Sequence, residues 1–273
     1  MSSVWPSRTR DRPYDRTVHA KKALVRRPSP RLAEGLLTHI ERSAVDADIA
    51  MRQWEGYVRA LADADWRVTE VEPASDCPDS VFVEDTVVVY GDLAVIARSG
   101  AVERRSETEG TEKAVAELGY RTVHIEAPGV LDGGDVLKHG GTVYVGQSGR
   151  TNADGIGQLS EYLAPFGATV IAVPLTKALH LKSAVTALPD GTIIGYPPVV
   201  DDPSVFEVFL PVPEEPGAHV VLLGDGKLLM SSRAPETAAL LRARGYEPVL
   251  VDIGEFEKLE GCVTCLSVRL RGI

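Results

Sequence analysis

What this chain lacks narrows its class before any motif is considered. It has no run of about 18 or more apolar residues, so no membrane-spanning helix is expected. Its start, MSSVWPSRTRDRPYDR, has no apolar middle segment of the kind a secretory signal requires. That stretch is polar, arginine-rich and interrupted by proline. Residues 1–16 therefore read as a disordered tail, and Asp11 and Asp15 argue against a transit peptide. Cysteine is scarce, with 3 in 273 residues. So few, in an odd number, describe no disulfide scaffold and fit a reducing cytoplasm. An excess of basic residues is also missing: 29 Lys and Arg face 39 Asp and Glu, for a net charge of -10. Phosphate contacts need clustered cations, so nucleic acid is not an expected partner. The acidic balance mildly favours a cationic small molecule. No linker is long or polar enough to split the chain, and residues 17–273 read as one domain.

What is present is a repeat. A unit recurs at a spacing of roughly 45–55 residues, within the range of propeller-like arrays. Each unit opens on a short apolar strand next to acidic residues, as in DSVFVED (79–85), followed by a second strand, as in LAVIAR (93–98). An amphipathic helix and a closing strand complete it. The clearest copies span 80–125 and 130–173; another contains 226–251 and is followed by CVTCLSVRL (262–270). Gly119, Gly167 and Gly245 each sit where a helix ends in a left-handed residue. Less regular copies begin at KKALVRR (21–27), with a helical stretch over about 40–62, and at HLKSAVTALPDGTIIGY (180–196). Five such units cannot bury their sheets singly, and a closed ring solves that problem.

The residues able to carry chemistry are few. Cys265 lies in CVTCLSVRL, where strand alternation puts it with Ser267 and Arg269 opposite Leu266, Val268 and Leu270. A buried free cysteine is commonly just a small hydrophobe. Cys262 makes a C-x-x-C with it. A redox motif would place that pair at a helix start, and a zinc site would need a second pair. His180 in ALHLKSAV shares a strand face with Lys182. Asp79, Glu84, Asp85, Asp132 and Asp135 all fall at strand ends. A ring would bring them together, and a cationic ligand would relieve their repulsion. A planar guanidinium suits such acceptors. Arg104 and Arg150 each follow a Ser-Gly pair and could fork onto a carboxylate, with Arg98 and Arg105 as rivals.

Taken jointly, DSVFVEDT (79–86), LDGGDVL (131–137), SGRTN (148–152), LHLKS (179–183) and TCLSV (264–268) resemble the dimethylarginine dimethylaminohydrolase family of the guanidino-modifying (amidinotransferase/deiminase) superfamily. The resemblance covers nearly all of the chain after residue 17. It implies the pentein-type α/β propeller of five ββαβ units with pseudo-fivefold symmetry, in agreement with the repeat. It makes Cys265 the nucleophile, His180 the general acid and base, and Asp132 their acidic partner. By the same match, Asp79, Glu84 and Asp85 hold the guanidinium and the α-amino end, and Arg104 and Arg150 hold the α-carboxylate. The loop VRRPSPRL (25–32) corresponds to a lid, and Cys262 to a bystander. Related arginine deiminases carry an aspartate where this chain has Lys182, which favours an N-substituted substrate. The implied reaction converts dimethyl- or monomethylarginine to citrulline and an amine, without metal or organic cofactor, in a cytoplasmic monomer or homodimer. The alternatives are a hydrolase for arginine or another guanidino compound, and a non-catalytic propeller that only binds.

Overall fold

The computed structural model describes residues 21–270, so the tail expected at residues 1–16 lies outside the described range. Along the chain the elements group into five units. The first has β1 (Lys22–Val25), α1 (Ala47–Asp63) and β2 (Arg67–Glu70). The second has β3 (Val87–Tyr90), β4 (Leu93–Ile96), α2 (Thr108–Glu117) and β5 (Arg121–His124). The third has β6 (Val136–His139), β7 (Thr142–Gln147), α3 (Ala153–Leu163) and β8 (Thr169–Pro174). The fourth has β9 (Val185–Ala187), β10 (Ile193–Gly195) and β11 (Phe209–Pro211). The fifth has β12 (Val221–Gly224), β13 (Lys227–Ser231), α4 (Pro235–Ala243) and β14 (Glu247–Val251). Finally β15 (Val268–Leu270) returns to pair antiparallel with β1.

Every sheet has three strands, with its middle strand antiparallel to one neighbour and parallel to the other. The C-terminal strand therefore completes the first unit instead of extending the fifth, and the chain closes its own ring. The expected five-unit ββαβ propeller is the observed architecture.

Packing explains why the strands are apolar on both faces. Along β3 and β4, Val88, Leu93 and Val95 enter the core shared with the third unit. The alternate residues Val87, Val89, Ala94 and Ile96 enter the core shared with the first unit. The period-2 direction of strand side chains makes this split obligatory. Five such cores bridge successive units around the ring. Neither face of β3 or β4 is left for solvent, which is why VVV and LAVI read as continuous hydrophobic runs, whereas the outer strands β2, β5 and β8 stay largely exposed.

The helix ends follow local chemistry. Gly119, Gly167 and Gly245 have φ of 88°, 72° and 89°, as expected for left-handed caps. The first helix begins later than the periodicity suggested. Asp46 caps it by accepting from the Ile49 amide at 2.9 Å, and residues 40–46 are non-helical. The fourth unit has no α-helix between β10 and β11. Pro197, Pro198 and Pro203 restrict that stretch to short 3-10 turns.

One buried hydroxyl ties α1 to the ring closure. Tyr57 donates to or accepts from Ser267 Oγ at 2.7 Å and donates to the Val263 carbonyl at 2.8 Å. Tyr57→Phe leaves both partners buried without it, at a cost of about 1–3 kcal/mol. A urea titration checks this; an unchanged midpoint would show that the closure does not depend on that hydroxyl.

Candidate active site

The chemistry-bearing residues occupy one structural position, the turn that leads into the first strand of a sheet. Val83–Thr86 precedes β3, Gly133–Asp135 precedes β6, and Leu181–Ser183 precedes β9; all are 3-10 turns. Cys265 lies in the turn before β15. The ring converges these turns, and two glycines let them come close. A Cβ at Gly133 would sit 2.1 Å from the Glu84 carbonyl oxygen. A Cβ at Gly134 would sit 2.5 Å from Asp85 Oδ1 and 2.7 Å from His180 Nδ1. The Gly-Gly pair after Asp132 is thus a close-approach device as well as a turn.

His180 is held on two sides by carboxylates. Its Nε2 lies 3.1 Å from Asp132 Oδ2, and its Nδ1 faces Asp85 Oδ1 at 3.8 Å. Burial alone would lower its pKa. The carboxylates of Asp85, Asp132 and Asp135 outweigh that and raise it to about 9. The ring is therefore an imidazolium near neutral pH and can donate from both nitrogens. For Asp85, burial opposes the charge, but His180 and Arg104 hold its carboxyl below the ordinary range. Burial pushes Asp135 up, to about 6. Its Oδ1 accepts from the Leu181 amide at 2.9 Å and its Oδ2 from Ser148 Oγ at 2.8 Å, which fixes the turn that presents His180.

Asp79, Asp85, Arg104, Arg150, His180 and Cys265 line one cavity, closed over by Leu36, Leu179 and the segment 259–261. Asp132 lies behind His180 and is fully buried. The two arginines differ in what they have left to offer. Arg104 chelates Glu107, bonds Asp85 Oδ2 at 2.7 Å, and donates to the Asp79 and Phe82 carbonyls. Arg150 has a buried Nη1 without a hydrogen-bond partner among the described residues, 3.9 Å from Asp132 Oδ2. The rivals are committed elsewhere: Arg98 bonds the Gly129 carbonyl and Arg105 the Ser99 carbonyl.

Several expectations need correction. Glu84 does not join this cavity. It lines a different one with Lys182 and Arg269, and its Oε1 lies 2.7 Å from Lys182 Nζ and 2.5 Å from Arg269 Nη2. Lys182 does not share a strand face with His180, because the 3-10 turn at 181–183 rotates the two side chains toward different cavities. Cys265 is likewise in a turn and not in the strand, which starts at Val268. The closing segment is also displaced. Arg26 within 25–32 is buried and bonds the Glu72, Ser80 and Glu107 carbonyls, so that stretch is an anchor. Leu36 is the residue that reaches the cavity, and its amide donates to the Asp79 carboxylate.

The thiols are the largest departure. Cys262 Sγ lies 3.2 Å from Cys265 Sγ, so the two thiols are in direct contact. The hydrogen bond with Cys262, burial, and the charges of Glu84 and Asp85 hold the Cys265 thiol well above its ordinary range. Asp85, Asp132 and His180 also offer ligand atoms within 4.8 Å of one another, a spacing open to a metal. Their oxygens already accept from Gly134, Gly100 and Arg104. Leu36, Glu107 and the positioning role of Asp135 were not read from the sequence. Only Asp135 carried a signal there, as the second acid of DGGD.

No family model matches the chain. It is 66% identical to a dimethylarginine dimethylaminohydrolase of Streptomyces coelicolor over 252 residues, which is 92% of this chain and 98% of the relative. It is 35% identical to one of Pseudomonas aeruginosa over 254 residues, 91% of this chain and 99% of that one. A solved Pseudomonas aeruginosa structure, a cysteine-to-serine mutant with citrulline bound, superposes with a TM-score of 0.85 at 33% identity, covering 92% of this chain and 99% of that one. A crystal structure of the S-methyl-L-thiocitrulline adduct of a histidine-to-glycine dimethylarginine dimethylaminohydrolase superposes with a TM-score of 0.86 at 32% identity, over the same shares.

The raised pKa of His180 sets a stability window. The folded value of about 9 exceeds the unfolded value of about 6.5, so the folded state binds the extra proton between them. This contribution is complete below about pH 6.5 and is lost as pH rises through about 9. Chemical denaturation from pH 6 to pH 10 should show that loss in the wild type and little of it in His180→Gln. An imidazole titrating near 6.5 by NMR would contradict the carboxylate cage.

Proposed function

This chain belongs to the dimethylarginine dimethylaminohydrolase family, and we propose that it hydrolyses Nω-methylated arginines to citrulline and di- or monomethylamine with Cys265 as nucleophile. The observation that carries the reading is the sharing of one cavity by Cys265, a carboxylate-caged His180 and the two cation-accepting carboxylates Asp79 and Asp85.

The cavity is suited to a zwitterionic chain ending in a cation. Asp85 faces the guanidinium and Asp79 the α-amino end. The free Nη1 of Arg150 takes the α-carboxylate, while Arg104 chiefly holds Asp85 and Glu107 in place. In the free protein Cys265 is protonated, since a second negative charge beside Glu84 and Asp85 is unfavourable. A bound guanidinium supplies the missing positive charge and favours the thiolate.

Cys265 then attacks the central guanidinium carbon. The His180 imidazolium gives its proton to the departing dimethylamine or methylamine, which leaves a thiouronium-type adduct on sulfur. Neutral His180 takes a proton from water, the hydroxide adds to the adduct carbon, and the C–S bond breaks to release citrulline. Asp132 holds the ring through both steps. Lys182 turns away to Glu84, so position 182 offers the cavity no acceptor for a second unsubstituted nitrogen. That favours a substituted guanidine over arginine.

Citrulline release from dimethylarginine and from arginine, measured side by side, tests the substrate class; faster release from arginine overturns it. Cys265→Ser should abolish turnover while keeping the fold, and normal turnover would remove the nucleophile. Arg150→Ala should raise KM by about 10–100-fold, the value of a charge-assisted bidentate contact, with a smaller change in kcat. An unchanged KM would remove Arg150 from carboxylate binding.

A further inference from the structure

The turn that carries the nucleophile also carries a second thiol. The Cys265 amide bonds the Cys262 carbonyl at 3.1 Å, so residues 262–265 form a closed four-residue turn. Such a turn keeps its end Cα atoms within about 7 Å, and a disulfide needs about 4.4–6.8 Å. The two sulfurs already face each other at 3.2 Å. A bond requires them to close by about 1 Å, which side-chain rotation can supply. Cys265 lines the substrate cavity, whereas Cys262 lies behind it, 98% buried in the adjoining apolar core.

We infer that Cys262 is a resolving thiol: when a hydroperoxide oxidises Cys265, Cys262 captures it as a Cys262–Cys265 disulfide that a dithiol reductant reverses. The small oxidant enters by the substrate cavity and meets Cys265 first. The fraction of Cys265 present as thiolate attacks one peroxide oxygen and the O–O bond breaks. The other oxygen leaves as hydroxide, takes up the proton the thiol released to become water, and Cys265 becomes a sulfenic acid. Cys262 then attacks the Cys265 sulfur, the S–OH bond breaks, and the Cys262 proton leaves with hydroxide as a second water. Two thiols are oxidised by two electrons in all, and one hydrogen peroxide is reduced to two waters.

The placement decides between two fates. A sulfenic acid with no thiol nearby runs on with more oxidant to sulfinic and sulfonic acids, which are not recovered by thiols. Here the second thiol is held at near-bonding distance, so capture outruns a second encounter with dilute oxidant. The proposed hydrolysis of the thiouronium adduct does not use Cys262, and its burial in the core keeps it from oxidising independently.

Disulfide formation rests on the geometry alone, and only its effect on turnover rests on Cys265 being the nucleophile. Full-length protein is treated with hydrogen peroxide without substrate, and the peptide LEGCVTCLSVR (259–269) is weighed before and after dithiothreitol. The wild-type peptide should become two hydrogens lighter, methylarginine turnover should fall in step, and dithiothreitol should restore both. In Cys262→Ser and Cys262→Ala the peptide should instead gain two or three oxygens, and dithiothreitol should restore neither mass nor turnover. A wild-type peptide that gains oxygens without losing hydrogens overturns the inference. So does full recovery of either variant. The mass readout needs no activity, so a failure of the proposed reaction leaves this test decisive.

Discussion

Carboxylates crowded at the centre of the ring repel one another, and the molecule is organised around relieving that repulsion. Asp79, Glu84, Asp85, Glu107, Asp132 and Asp135 are all buried. An isolated buried charge costs several kcal/mol, so each needs a partner or a proton. Arg104 sits between Asp85 and Glu107, His180 between Asp132 and Asp85, and Lys182 with Arg269 on Glu84. Asp135 is eased by its raised pKa and by the Leu181 amide. The compensation is shared, so removing Arg104 or His180 weakens the pairing of two carboxylates at once. That coupling keeps His180 protonated near neutral pH.

Glycine is what permits the crowding. Gly133 and Gly134 bring the second and third units to within distances that any side chain would forbid. Asp85 accepts from the Gly134 amide, so backbone and carboxylate are joined where the Cβ would have stood. The same contact aims His180. Repeat architecture alone places one turn per unit at the centre; these two residues decide how near the turns come.

Much of this was legible in the sequence because it depends on periodicity. Strand-length apolar runs, glycine helix ends and the recurring acid-to-strand join each leave a local trace, and a ring follows from five faces needing cover. Asp79, Asp85, His180 and Cys265 could be named from that join and from family resemblance. What was not legible depends on rotation about single turns. Whether residues 181–183 form a strand or a 3-10 turn decides if Lys182 stands beside His180 or against Glu84, and both conformations suit LKS. Likewise Arg104 and Arg150 look equivalent in sequence, and only the presence of Glu107 one helical turn along from Arg104 separates them. The C-x-x-C showed neither a helix start nor a second pair for zinc, and nothing in the sequence marks the turn that brings Cys262 against Cys265.

The ring closure and the cavity thiol are one piece of structure. Cys265 precedes β15 by two residues, its carbonyl accepts from the Glu84 amide, and Ser267 meets Tyr57. Strand β15 in turn pairs with β1, which completes the first sheet. The sulfur is therefore in register with His180 only when the last strand is docked. An unfolded or partly closed chain has the thiol but not the cage, so its cysteine carries ordinary solvent-exposed reactivity. Closure buries the thiol beside carboxylates that raise its pKa. The same negative field favours a cation in the cavity over an anion.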